Sequence, residues 1–142
     1  MSDLHGFYLE DLSVGMTATY TRTITQTEII LFAGISGDDN PVHINEVFAK
    51  ATPFKGRIAH GILTSGLVST VLGTRLPGPG AILLSLNAKF KAPVRADDTV
   101  AAKVTVKEID LERKCVFFTS QCTVGETVVL EGEARVKVDS RR

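Results

Sequence analysis

The sequence predicts an α+β fold in which a curved antiparallel sheet wraps around a central helix. Three observations predict it. Residues Ile58 to Thr74 contain no Asp, Glu, Lys or Arg, and a helix without charge all round has to be covered on every side. Four segments between Ile82 and Val138 alternate apolar with polar residues, the period of antiparallel strands with one buried and one wetter face. The chain has 142 residues, 44% of them hydrophobic. That suffices for one core, and residues 1–142 read as a single domain.

The elements follow in order. From Met16 to Thr25, Met16, Ala18, Tyr20, Arg22 and Ile24 share one side and threonines occupy the other; β-branched threonine favours a strand. Thr25-Gln26-Thr27-Glu28 matches a capping box and starts a helix, with Ile29, Ile30, Phe32 and Ala33 as its apolar face. The loop Ser36 to His43 turns at Gly37 and Pro41. Asn45 and Glu46 open a short helix through Lys50, and Pro53, Gly56 and Arg57 mark another loop. A long helix runs from about His60 to Arg75, until Pro77-Gly78-Pro79-Gly80 stops it. Its Gly61, Ser65, Ser69 and Gly73 recur every four residues as a stripe of small side chains, opposite bulky Ile62, Leu63, Leu67, Val71 and Leu72. In the strands, Ile82, Leu84, Leu86, Ala88 and Phe90 share a face. So do Val100 to Val106, Val116 to Cys122 and Val128 to Val138, taken at every second position. Gly125-Glu126 is a hairpin turn. Gly132, mid-strand on the inward side, marks a bulge or a close approach of the helix. A sheet with open edges invites pairing with a second copy, so a symmetric dimer is expected.

Composition excludes several classes. Sixteen basic and sixteen acidic residues give a formal net charge of zero, so there is no nucleic-acid footprint. The charge-free run is broken by Gly61, Gly66 and Gly73 and is shorter than the roughly 20 apolar residues of a membrane span. Cys115 and Cys122 fall on opposite faces of one strand and do not pair. With no ligand-spaced Cys/His cluster and no signal peptide at Met1 to Glu10, neither a metal site nor export is expected; the setting expected is the reducing cytoplasm.

The chemistry concentrates in Ser36-Gly37-Asp38-Asp39-Asn40-Pro41-Val42-His43. It places a carboxylate, Asp38, and an imidazole, His43, five residues apart, the types that accept and pass protons near neutral pH. Asn40 can fix the loop through backbone hydrogen bonds. The same residues are at home in a plain polar turn. A calcium loop would continue its acidic ligands beyond Asn40 with a glycine, and they do not continue. Gly61 matters through its amide: the first N–H groups of a helix lack internal partners and carry positive partial charge, although a glycine there also permits close packing. His60 reads as a capping or packing histidine with no carboxylate nearby.

These residues resemble the MaoC-like dehydratase family, or hydratase 2, and most of all its small (R)-specific enoyl-CoA hydratases. The family's Gly-Asp-x-Asn-Pro-aliphatic-His signature is met by Gly37, Asp38, Asn40, Pro41, Val42 and His43, and its His-Gly pair by His60 and Gly61. Pro77 to Gly80 and the stretch Phe90 to Val94 followed by Asp97 are similar to later family features. Ala96 stands where a glycine often precedes that aspartate.

The resemblance spans about Tyr8 to Val138. It implies a hot-dog fold, a homodimer and an enoyl-CoA thioester as substrate. It implies Asp38 and His43 as a catalytic dyad that adds water across the 2,3 double bond, the Gly61 amide as donor to the thioester oxygen, and an (R)-3-hydroxyacyl-CoA product. No cofactor or metal is implied, and Asp39 falls on a variable position. By position, Asn40, Leu67, Ser69 and Leu72, with Val68, are candidates for contact with substrate. Arg57, Arg75, Lys89 and Lys91 are candidates for the nucleotide phosphates. The rival readings are a hot-dog acyl-CoA thioesterase and a non-catalytic acyl-binding or dehydratase subunit.

Overall fold

A computed structural model describes residues 2–142. Five strands form one sheet: β1 (Thr17–Ile24), β2 (Ile82–Phe90), β3 (Asp98–Asp110), β4 (Cys115–Val124) and β5 (Thr127–Lys137), in the order β1-β3-β4-β5-β2. Every neighbouring pair is antiparallel. The described residues also form four α-helices, α1 (Gln26–Ser36), α2 (Pro41–Ile44), α3 (Glu46–Lys50) and α4 (Gly61–Thr74), and two short 3-10 turns at Ser2–Leu4 and Leu9–Asp11. This is a hot-dog arrangement, with α4 laid against the sheet.

The core forms where the alternating strand faces meet α4. Val100, Ala102, Val104 and Val106 of β3, Val116, Phe118 and Cys122 of β4, and Leu130, Ala134 and Val136 of β5 are buried together with Leu67, Val68, Val71 and Leu72 of α4. Burying each such Val or Leu contributes about 1.5–3 kcal/mol, so this layer supplies the main driving force. Cys115 and Cys122 are both free thiols, and burial pushes Cys122 up to about 11. The turn at Gly125, with φ 58°, joins β4 to β5 as expected.

Several expectations change. The small stripe on α4 does not stay on one side: Ser65 is buried, while Ser69 and Gly73 are exposed. A four-residue step overshoots a helical turn by about 40°, so the stripe winds round the helix. The uncovered side is Ile62, Gly66, Ser69 and Gly73. On β2, only Leu86 and Ala88 pack against the core; Ile82, Leu84 and Phe90 are exposed. β2 is an edge strand with a register shift between Leu83 and Ser85. At Gly132 it is the backbone of β2 that comes close, not the helix: a Cβ there would lie 2.0 Å from the Asn87 carbonyl oxygen. On α1, Ile29 and Ala33 are buried as expected, but Ile30 is exposed.

The N-terminal segment packs beside the chain's other end. The Gly6 and Phe7 amides donate to the Pro79 and Pro77 carbonyls at 2.9 and 2.8 Å, and the Leu9 amide donates to Asp139 at 2.8 Å. Arg141 makes paired hydrogen bonds to the Asp11 carboxylate at 2.8 and 2.9 Å.

Candidate active site

α1 ends at Gly37, a left-handed C-cap with φ 82° whose amide returns to Ala33 at 2.9 Å. The chain then passes through Asp38 and Asp39 to Asn40, which caps α2 by accepting the Val42 amide on Oδ1 at 3.1 Å. Pro41 takes the first helical position, where a missing N–H is harmless. The stretch read as a loop through His43 is therefore a loop followed by one helical turn. Asn40 fixes it through its backbone bond, and its Oδ1 is engaged in that cap. The turn aims the His43 ring inward, where it is buried.

His43 Nδ1 lies 2.8 Å from the Ile58 carbonyl oxygen. A carbonyl can only accept, so Nδ1 carries the proton and Nε2 of the neutral ring keeps its lone pair. Asp38 is exposed; its amide donates to Ser36 Oγ at 3.1 Å and its Oδ1 accepts from the Asn40 amide at 3.3 Å. Donor atoms of Asp38, His43 and His60 lie within 4.8 Å of one another. The sequence-predicted acid/base pair is thus brought together, and a second histidine joins it.

His60 does not cap α4 with its side chain. It packs, as its position suggests, stacking on His43 with ring centres 3.8 Å apart and planes 25° apart, and tilting against Phe32 at 4.7 Å. The expectation that no carboxylate lies near it is corrected by Asp38. The two residues are 22 apart in sequence, so no local pattern could reveal the contact. Two imidazoles and a carboxylate are a donor set for a transition metal. However, an imidazole binds a metal along the lone pair in its own plane, about 2.0–2.1 Å away. Stacked rings direct those lone pairs along nearly parallel planes rather than to one point, so the cluster does not fit a metal as arranged.

Gly61 opens α4. Its amide has no hydrogen-bond acceptor among the described residues, as expected at a helix start. The Phe90 ring rests on it, 2.7–3.0 Å from where a Cβ would stand. An apolar cleft of about 370 Å³ opens here, lined by Gly61, Ile58, Ile62, Thr64, Phe90, Val94 and Val129, with Lys91 among its walls. Phe54, Phe90 and Val129 had not been singled out as site residues; they come from distant parts of the chain. A larger cleft of about 450 Å³ is walled by Lys89, Lys103, Gln121, Glu131 and Glu133 and includes none of the candidate catalytic residues. The smaller one reaches the Gly61 amide; Asp38, His43 and His60 are not among the residues that line it.

Of the remaining candidates, Leu67 and Leu72 are buried in the core and Ser69 is on the uncovered side of α4; none lines the apolar cleft. Arg57 is paired with Glu46 at 2.7 Å, and Arg75 lies over the Tyr20 ring at 5.2 Å and donates to the Thr19 carbonyl. Both guanidinium groups are engaged within the chain. No helix among the described residues is long and apolar enough to cross a membrane.

The family profile described as "MaoC like domain" matches residues 13–133. An (R)-specific enoyl-CoA hydratase of Rhodospirillum rubrum is 54% identical over 139 residues, covering 98% of this chain and 96% of that protein. A 3-hydroxybutyryl-CoA dehydratase of Methylorubrum extorquens is 49% identical, covering 99% and 90%. Among solved structures, the unliganded R-hydratase PhaJ1 of Pseudomonas aeruginosa superposes with a TM-score of 0.90 at 35% identity, covering 97% of this chain and 89% of that one.

Proposed function

The chain belongs to the MaoC-like dehydratase family, and from that premise we propose that it hydrates trans-2-enoyl-CoA thioesters to (R)-3-hydroxyacyl-CoA and catalyses the reverse dehydration. The observation that carries the reading is the His43 tautomer: its Nδ1 proton is committed to Ile58, so the Nε2 lone pair is left free on a ring that has a nitrogen within 4.8 Å of the Asp38 carboxylate. Asp38 and His43 hold one water between them. As the water oxygen bonds to C3, His43 Nε2 takes one of its protons. The dyad returns a proton to C2 on the same face, so H and OH are added and nothing is oxidised or reduced. Negative charge that builds on the thioester oxygen meets the free Gly61 amide; losing an oxyanion donor of this kind typically costs about 3–4 kcal/mol of transition-state stabilisation. These steps use side chains, one amide and water, with no cofactor or metal.

The apolar cleft at Gly61 gives the thioester arm a place to lie. Leu67 and Leu72 touch an acyl chain only if it enters the core between α4 and the sheet, whereas Ser69 is open to one that runs along the uncovered side of the helix. Lys91 pairs with Glu131 at 4.0 Å, which leaves Lys89 as the candidate for phosphate without an ion pair among the described residues. A homodimer belongs to the same reading, because Ile62 is 63% exposed on a helix without charge and the edge strand β2 exposes Ile82, Leu83 and Leu84. Apolar surface on this scale is the kind a second copy covers. The two free cysteines suit a reducing cytoplasm.

Asp38→Asn and His43→Gln test the dyad. Each is expected to lower crotonyl-CoA hydration by about 10²–10⁴-fold, the usual contribution of a positioned acid or base. Near-normal hydration by either variant overturns the assignment. Loss of enoyl absorbance without free thiol separates hydration from thioester hydrolysis, which releases thiol.

A further inference from the structure

We propose that His60 is a positioning residue that holds both members of the dyad in register. The inference rests on the reading of Asp38 and His43 as the acid/base pair. One side chain touches both of them. The His60 Nε2–H donates to the Asp38 carbonyl at 2.8 Å, and its ring face supports His43 at 3.8 Å.

Three observations make this more than packing. First, the other hydrogen bonds of Asp38, to Ser36 and Asn40, stay within two residues of it. Among the described residues, His60 supplies the only hydrogen bond that ties Asp38 to the rest of the fold. Second, with its proton on Nε2, the ring leaves Nδ1 as a buried acceptor with no partner. The residue is only 2% exposed, and such an orphan is destabilising. A residue kept for shape alone would be a phenylalanine, which carries no orphan. Third, the short segment Ile58 to His60 acts as one fixture. The Ile58 carbonyl holds His43 Nδ1, the Ile58 amide donates to Val42 at 3.2 Å, and the Ala59 amide donates to the Val94 carbonyl. This segment therefore sets the separation of carboxylate and imidazole from one rigid support.

The test compares His60→Phe with His60→Gln. Phenylalanine keeps the ring and removes the donor; glutamine restores an amide N–H at similar reach and removes the ring. With His60→Phe we expect kcat for crotonyl-CoA to fall by about 10²-fold, the loss typical of a reacting group displaced by about 1 Å, while KM changes by less than about 3-fold. His60→Gln should stay within about 10-fold of the parent kcat, as rescue by the retained donor requires. Wild-type kcat in a folded His60→Phe, or a folded His60→Gln as impaired as His60→Phe, overturns the proposal. Nitrogen chemical shifts of the unaltered protein give a check that needs no variant: His60 should carry its proton on Nε2, and the opposite tautomer overturns the proposal. If Asp38→Asn and His43→Gln abolish activity while folded His60→Phe does not, only the role of His60 fails. If those dyad variants stay active, the dyad itself fails.

Discussion

At the residue scale, the candidate site is a matter of which atoms are left unpaired. His43 gives its Nδ1 proton to Ile58, and Gly61 keeps a free amide under the Phe90 ring. Gly61→Ala probes that contact. The new Cβ would stand 2.7 Å from the Phe90 ring, but Phe90 is half exposed and can turn aside. Alanine is the better helix former by about 1 kcal/mol. The urea midpoint should therefore change little, while kcat/KM falls by about tenfold or more as the path to the amide narrows. Unchanged kcat/KM would show that the thioester does not approach there. Asp38 and His43 were legible because their spacing is local and turn chemistry marks it. The His60 contact was not, since it is made across the fold, and neither were Phe90 and Val129, which reach the cleft only once β2 and β5 are in place.

At the element scale, the best-read feature is the start of α1. The Thr25 amide donates to Glu28 at 2.8 Å, as a capping box requires. The Thr25 hydroxyl, nearby backbone amides and the Arg22 guanidinium hold the Glu28 carboxyl down to about 2. Its ordinary value is 4.5, so the carboxylate contributes stability above about pH 4.5, and that contribution is lost as pH falls towards 2. Urea unfolding across this range should show the parent losing its advantage over Glu28→Gln as acid is added; a gap constant with pH would mean the cap does not titrate. The stripe on α4 and the buried face of β2 were less legible. A four-residue repeat drifts round a helix, and a strand's period does not say whether the strand lies at the edge.

At the scale of the whole molecule, the fold class followed from a charge-free helix and four alternating strands, but the strand order did not. Nothing in the pattern of β1 says that it pairs with β3, or that β2 pairs with β5 rather than with its neighbour in sequence. The order leaves β1 and β2 at the edges, with apolar residues exposed on β2 and on α4. Ile62→Glu and Leu84→Glu test what covers them. Both sites are exposed in the single chain, so folding should survive, while sedimentation shifts from dimer to monomer. A parent protein that sediments as a monomer at micromolar concentration would exclude the dimer.

The pairing of residues 6–9 with Pro77, Pro79 and Asp139 also has a practical consequence. These contacts gather both ends of the chain near the far end of α4, whereas Gly61 and its cleft lie at the other end of a helix of 14 residues, a separation of about 20 Å. A tether, a bead or a fused enzyme attached at residues 6–9 or at Asp139 would emerge at the same pole, at the other end of α4 from the Gly61 cleft. The chain is thereby suited to immobilisation, or to being strung in series with a partner that makes or consumes its thioester.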